Sequence, residues 1–309
     1  MMTFSGIAFQ LYSVRSHPDS LSEIIRRVAA TGYDGVEFAH RFQQESSEDI
    51  AVVLNETGIK PVAVHADLTT IENALAGEAD LLERCATIGC KRLIVAHPNS
   101  THFHTRESVR ALVDRLNDVA KALDQRGLEL GLHNDRRWLS PLLPNTVETL
   151  IDVTPAPDRV ADYIQEAGRR LQSRHAGDVS RKTPFWHLIM ETDPDTIWFE
   201  LEAAELHAGG VMPTEALSLL DGRTKMLHLR DVAPGTGFSD YESVPHGEGV
   251  VDMKYILEAA DDAGIDWVVY ENELDLPPED KIKAGRRFSD RMLGERTTSI
   301  GPVHQTGSS

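Results

Sequence analysis

Residues 223–231 read RTKMLHLRD, and the alternation in this segment decides how the rest of the chain is interpreted. Successive side chains of a β-strand point to opposite faces, so Met226, His228 and Arg230 share one face. The two leucines between them share the other face, which suits packing against helices. We therefore expect a buried strand that ends in polar residues at a mouth or cleft. Asp231, of the opposite parity, is expected to anchor the following loop.

Eight short apolar segments rich in β-branched residues alternate with segments of helical periodicity. The helical patterns at 19–32 and 107–127 both end in glycine, a common helix stop. Eight strand–helix units predict an α/β fold, a (β/α)8 TIM barrel. A doubly wound sheet is the alternative, but the sequence has no glycine-rich phosphate loop to support it. The predicted strands are residues 6–12, 33–38, 60–65, 91–97, 128–133, 196–202, 224–230 and 266–271.

The domain prediction is a single barrel over residues 1–293, with a disordered tail over 294–309. The segment between the fifth and sixth predicted strands is much longer than one helix needs. Prolines interrupt residues 140–158, whereas 162–178 has a helical pattern. We expect an insertion at about 135–190 to lie over the mouth of the barrel as a lid or substrate loop. A contact within a homo-oligomer is the alternative role.

Composition restricts the classes of partner. The 309 residues include 31 Lys and Arg against 49 Asp and Glu, a formal net charge of −18. This acidic balance repels nucleic acid and anionic membrane surfaces, so we expect neither as a partner. Cys85 and Cys90 fall on a predicted helix and its end, so we expect neither a disulfide nor a thiolate zinc site. No run approaches the roughly 18 apolar residues of a membrane span, and the predicted location is cytoplasmic.

Polar side chains occupy the inward-facing ends of several predicted strands. Glu202 ends strand six, His228 lies near the end of strand seven and Glu271 ends strand eight, and these ends meet at one mouth. Two carboxylates and an imidazole suit Mn2+, Mg2+, Co2+ or Zn2+ and leave positions open for a substrate. A purely structural ion-pair cluster, neutralised by Arg230, is the alternative. The other inward-facing polar ends are Gln10, Glu37, His65 and His133.

Five segments fall in the order and spacing of a known family. They are FQLYSVR (9–15), ATGYDGVEFA (30–39), ETDPDTIWFELEAAELHAGGVMP (191–213), KMLHLRDV (225–232) and HGEGVVDMKYILEAADDAGIDWVVYENE (246–273). In these segments the chain resembles the sugar phosphate isomerase/epimerase family, xylose isomerase-like TIM barrels that include inosose dehydratases. The resemblance covers nearly the whole chain outside the insertion. It implies a divalent cation (Mn2+, Mg2+, Co2+ or Zn2+) held by Glu, Asp, His and Glu at the ends of strands five to eight.

Three of the implied metal ligands can be placed on this sequence. His228 matches the histidine of the family's His-x-Lys-Asp pattern, and Glu271 matches the last glutamate. Glu202 stands in the position of the strand-six Asp, and Glu205 stands where a Trp is common. Arg230 replaces the usual Lys. This keeps the positive charge but exchanges a titratable amine for a planar guanidinium group.

The fourth implied ligand stays open. Strand five of the family usually ends in a carboxylate or in a His-Asn-His run followed by a Glu. Here the segment LHNDRRWL (132–139) keeps His133 and Asn134 but has Asp135 in place of the second His. His133 itself, Asp135, or Glu148 from the following loop can each complete the set.

The resemblance implies chemistry at a carbon next to a carbonyl, through an enediolate-type intermediate. The implied activity is isomerisation, epimerisation or dehydration of a sugar, keto-sugar or inosose. Glu271 is the predicted base, and the strand-five group, His133 or Glu148, is its predicted partner in proton transfer. The predicted substrate-binding residues are Gln10, Glu37, His65, Asn134 and Arg230.

A second interpretation is a catalytically degenerate barrel that binds a sugar or serves as an assembly subunit. The departures on strands five and six favour it, and bound metal distinguishes it from an enzyme. Endonuclease IV-like repair enzymes share the barrel, but they need more metal-binding residues and a basic surface for DNA. The net charge of −18 argues against that class.

Overall fold

The computed structural model describes residues 3–96, 98–143, 157–172, 181–235 and 241–293. Eight parallel strands close into a barrel in the order β1–β10–β7–β6–β5–β4–β3–β2, and β8 pairs with β9 in a separate two-stranded sheet. The predicted (β/α)8 architecture is therefore confirmed. The strands are β1 Gly6–Gln10, β2 Gly35–Phe38, β3 Lys60–Ala66, β4 Arg92–Val95, β5 Glu129–His133, β6 Ile197–Glu202, β7 Thr224–Leu229, β8 Asp231–Pro234, β9 Tyr241–Val244 and β10 Trp267–Tyr270.

Amphipathic helices follow the barrel strands and bury their apolar side against them. A capping box at Ser20 and Glu23 begins α1, and left-handed glycines end α2 and α4, at Gly58 and Gly89. The helices are α1 Leu21–Ala30, α2 Ser47–Thr57, α3 Leu68–Leu75, α4 Leu81–Ile88, α5 Arg106–Asp124, α6 Pro157–Gln172, α7 Pro184–Glu191, α8 Ala203–Ala208, α9 Pro213–Leu220, α10 Met253–Asp262 and α11 Pro278–Leu293. Short 3-10 helices span Leu11–Val14, His40–Gln43, Ser100–Phe103 and Arg136–Leu139.

Two tryptophans fill the lower half of the barrel interior, at the N-terminal ends of the strands. Trp198 and Trp267 belong to an inner cluster that also holds small and aliphatic side chains of the other strands. Glycines on neighbouring strands make room for the two rings. A Cβ at Gly131 would lie 2.6 Å from the Trp198 ring, and one at Gly6 would lie 2.4 Å from the Trp267 ring. The lower barrel is thus solidly packed, and a cavity can form only at the C-terminal ends of the strands.

A hairpin that the sequence analysis missed forms at the mouth, directly after β7. Its first strand, β8, begins at Asp231, whose side chain is fully buried. The Asp231 carboxylate accepts hydrogen bonds from the backbone N–H groups of Gly247 (2.9 Å), Gly249 (3.0 Å) and Val251 (3.2 Å). The prediction that Asp231 anchors the following loop is confirmed.

The predicted insertion is described in part. Helix α6 contacts the loop before α5, where His104 Nε2 lies 2.9 Å from Asp162 Oδ1 and Gln165 Nε2 donates to the Phe103 carbonyl at 2.7 Å. Residues 144–156 and 173–180, which include Glu148, lie outside the described residues, as does the predicted tail at 294–309. Cys85 and Cys90 are buried free thiols. Among the described helices none is long and apolar enough to cross a membrane.

The packing of Gly131 against Trp198 can be tested by stability. We expect Gly131→Ala to lower the free energy of unfolding by about 1–3 kcal/mol, because the added methyl overpacks the barrel interior. Urea denaturation measures the loss. In a Trp198→Phe background the same change should cost less, since the smaller ring leaves space. An equal cost in both backgrounds would contradict this account of the barrel interior.

Candidate functional site

The mouth of the barrel encloses a cavity of about 200 Å³, lined almost entirely by residues at the ends of strands. Alternation along parallel strands explains the lining, since every second side chain points to the barrel axis and the last one in each strand reaches the mouth. The polar residues lining the cavity are Gln10, Tyr12, Gln43, His65, Asp67, His133, Asn134, Asp135, Glu202, Glu205, His228, Arg230, Glu271 and Glu273.

Four of these residues converge on one point, and we call them the upper cluster: His133, Glu202, His228 and Glu271. His228 Nδ1 lies 3.3 Å from His133 Nε2, 3.2 Å from Glu271 Oε2 and 3.9 Å from Glu202 Oε2. A tetrahedral cation with bonds of about 2.0 Å separates its ligand atoms by about 3.3 Å. The upper cluster therefore has the dimensions of a metal site.

The electrostatics of the upper cluster favour an added positive charge. Burial raises the pKa of Glu202 to about 8, although Arg230 opposes the shift. Burial acts on Glu271 in the same direction and is the largest single effect, but the hydrogen bond with His228 and the charges of His228, Arg230 and His133 together outweigh it and hold the pKa well below its usual range. The pKa of His228, lowered by burial, is raised well above its usual value by the surrounding carboxylates, first Glu200 and then Glu37. A cation bound beside Glu202 would therefore favour its ionised form.

An unsatisfied oxygen shows where a cation fits. Glu202 Oε1 caps α8 by accepting from the Ala204 N–H at 2.9 Å, and Asn134 Oδ1 accepts from the Glu202 N–H at 2.8 Å. Glu202 Oε2 is buried and accepts no hydrogen bond from any described residue. A buried carboxylate oxygen without a donor is costly unless a cation binds it. Two carboxylates and two imidazoles suit Zn2+, Co2+ or Mn2+ better than Mg2+.

Beneath the upper cluster lies a second group that shares His228, and we call it the lower cluster: Glu37, His65, Glu200 and His228. His228 Nε2 lies 2.6 Å from Glu37 Oε2 and 3.1 Å from Glu200 Oε1. His65 Nε2 lies 2.9 Å from Glu200 Oε2 and 3.2 Å from Glu37 Oε2. Burial lowers the pKa of His65, but the two carboxylates, first Glu37 and then Glu200, raise it to about 10.

Of the three groups expected to complete the metal site, the structure brings His133 into the upper cluster. Asp135 lines the cavity, but its carboxylate contacts Arg137, with Oδ1 2.8 Å from the backbone nitrogen and 2.9 Å from Nε. Glu148 lies outside the described residues.

The predicted substrate-binding residues are distributed unevenly. Gln10, His65 and Asn134 line the cavity, although the Gln10 amide also donates to Glu37. Glu37 is fully buried and does not line the cavity. It differs in this from the other four predicted substrate-binding residues, which all line the cavity.

Arg230 also lines the cavity, and its guanidinium is already engaged. It pairs with Glu205 and with Glu273, and its Nε lies 3.7 Å from Glu202 Oε2. The Arg230 guanidinium thus links the end of β7 to the segments that follow β6 and β10. It neutralises carboxylates at the mouth and holds these segments together.

The sequence analysis gave Glu200 no part in the site. Its spacing of two residues before Glu202 was the available signal, because that spacing puts it one layer deeper on the barrel axis. Glu273, which closes the mouth against Arg230, follows Glu271 at the same spacing.

Comparison with solved structures gives the same fold. A sugar phosphate isomerase/epimerase from Parabacteroides distasonis matches with a TM-score of 0.68 at 16% identity, over 91% of this chain and 96% of that one. The IolI protein, solved with a bound zinc atom, matches with a TM-score of 0.65 at 17% identity, over 93% and 98%. The probable 3-DHS dehydratase AsbF of Bacillus anthracis matches with a TM-score of 0.65 at 14% identity, over 91% and 97%.

A search of curated protein sequences gives no match. The family model described as xylose isomerase-like TIM barrel matches residues 25–292, which span every barrel strand except β1. The chain belongs to the xylose isomerase-like TIM barrel family.

Proposed function

We propose that this protein is a divalent-metal-dependent isomerase, epimerase or dehydratase that acts on a sugar, keto-sugar or inosose. The observation that supports the proposal is the upper cluster, in which two imidazoles and two carboxylates surround one point at the base of the mouth cavity. The similar solved structures include sugar phosphate isomerase/epimerases, a zinc-binding protein and a probable dehydratase, and these descriptions are compatible with the proposal.

The four residues of the upper cluster would hold the cation through Nε2 of His133, Nδ1 of His228 and one oxygen each of Glu202 and Glu271. When bound, a divalent cation supplies Lewis-acid stabilisation of negative charge on substrate oxygens. His65, Asn134, Gln10 and Arg230 line the same cavity and would hydrogen-bond substrate hydroxyls.

Glu271 is the proposed general base. Its carboxylate group lies directly after β10 and lines the cavity. The carboxylate would take a proton from the carbon next to the substrate carbonyl, and the electrons of the broken C–H bond would move onto the carbonyl oxygen. Return of a proton to the opposite face gives an epimer, and return to the neighbouring carbon gives an isomer. Loss of the β-hydroxyl with a proton gives dehydration.

Retention of metal tests the site. After dialysis against each cation, we expect the protein to retain one equivalent of Zn2+, Co2+ or Mn2+ and to lose Mg2+, because the ligand set contains two imidazoles. Elemental analysis measures the content. Glu202→Gln should weaken retention strongly, whereas Glu72→Gln, which alters a partly exposed ion pair with Arg115, is a matched control. A wild-type protein that takes up none of these cations would contradict the proposal.

Hydrogen exchange tests the reaction without knowledge of the natural substrate. Metal-loaded protein incubated in D2O with ketoses and inososes should incorporate deuterium next to the carbonyl, as detected by NMR. We expect Glu271→Gln to slow this exchange by about 100-fold or more, because an amide cannot accept the proton. The variant is assayed at saturating metal with its metal content measured, which separates loss of the base from loss of the cation. Metal binding without exchange across the panel would favour the sugar-binding interpretation.

A further inference from the structure

The His228 ring presents its two nitrogens to two different groups. Nδ1 faces the upper cluster, 3.2 Å from Glu271 Oε2 and 3.3 Å from His133 Nε2. Nε2 faces the opposite way, 2.6 Å from Glu37 Oε2. An imidazole that binds a metal through one nitrogen carries its proton on the other, so the partner of the second nitrogen determines which one is available.

Glu37 is held in place from several directions. Gln10, its partner in the register between β1 and β2, donates to Glu37 Oε2 through its side-chain amide. His65 Nε2 lies 3.2 Å from the same oxygen and 2.9 Å from Glu200 Oε2. All of these residues lie on barrel strands, so the acceptor for His228 is part of the rigid scaffold.

We propose that Glu37 is a positioning residue that accepts the Nε2–H of His228 and thereby directs Nδ1 at the cation. This role rests on the proposed function, because it assigns Nδ1 of His228 as a metal ligand. Glu37 does not touch the cation or the substrate. It fixes the tautomer and the ring orientation of His228 and increases the electron density at Nδ1.

The lower cluster is a hydrogen-bonded support rather than a second metal site. The Nε2 atoms of His65 and His228 lie 2.6–3.2 Å from oxygens of Glu37 and Glu200, so the imidazoles and carboxylates already contact each other directly. Glu37 Oε1 and Glu200 Oε1 accept no hydrogen bond from a described residue. Glu37 and Glu200 are fully buried, and neither lines the mouth cavity. In the upper cluster, by contrast, Glu202 lines the mouth cavity, and its Oε2 also accepts no hydrogen bond from a described residue.

Zinc affinity tests this role, measured by calorimetry with a competing chelator. Glu37→Leu removes the acceptor, and we expect it to weaken Zn2+ binding by about 10–100-fold. Glu37→Gln keeps the shape and an acceptor oxygen, so its affinity should lie between those of Glu37→Leu and the wild type. Glu129→Gln is the matched control, because Glu129 lies at the opposite end of β5 and pairs with Lys225. Its affinity should equal that of the wild type.

A spectroscopic measurement follows the tautomer of His228 directly. In zinc-loaded wild-type protein labelled with 15N-histidine, long-range 1H–15N correlation should show His228 protonated at Nε2 and bound to zinc through Nδ1. In Glu37→Gln the Nε2 proton should exchange faster with water, because a neutral amide is a weaker acceptor. A purely structural role for Glu37 would leave both the tautomer and the exchange unchanged.

The outcomes separate this inference from the proposed function. If wild-type protein binds no Zn2+, both fail. If the wild type binds one equivalent of Zn2+ and both Glu37 variants bind Zn2+ as tightly as the wild type, the positioning role is wrong and the proposed function stands. Zinc ligation through Nε2, or a second equivalent of Zn2+ that is lost in Glu37→Leu, would also overturn the positioning role.

Discussion

The imidazole of His228 stands between two sets of carboxylates, and the architecture of the site depends on this contact. The ring is fixed on the barrel axis because His228 and the residues it meets all occupy inward-facing positions of parallel strands. Below it, Glu37 Oε2 lies 2.6 Å from Nε2; beside it, Glu271 Oε2 lies 3.2 Å from Nδ1. Burial makes both contacts strong and makes any uncompensated charge costly.

The solid packing beneath the ring defines how deep the site extends. Trp198 and Trp267 occupy the lower barrel, in space that Gly131 and Gly6 leave open, so the polar residues are confined to the upper layers. At the mouth, Arg230 forms ion pairs with Glu205 and Glu273, and the Asp231 carboxylate accepts hydrogen bonds from the backbone of the following loop. Rigid elements thus position the polar side chains from below and above.

Local periodicity was sufficient to predict the barrel and three members of the upper cluster, Glu202, His228 and Glu271. Parity along a strand depends only on neighbours in sequence, and the ends of parallel strands meet at one mouth. The lower cluster depends on non-local information. The pairing register shifts next to Glu37, between β2 and β3, and next to Glu200, between β6 and β7. These shifts align carboxylates from distant strands with His228. The β8–β9 hairpin depends on pairing across the segment 236–240, which periodicity does not reveal.

The central claim is that His133, Glu202, His228 and Glu271 together bind one divalent cation. X-ray absorption spectroscopy of the zinc-loaded protein tests it most directly. The account predicts two imidazole nitrogens and carboxylate oxygens at about 2.0–2.2 Å from zinc, with one imidazole lost in His133→Ala. A zinc environment with fewer than two imidazoles, or one unchanged in His133→Ala, would contradict the account.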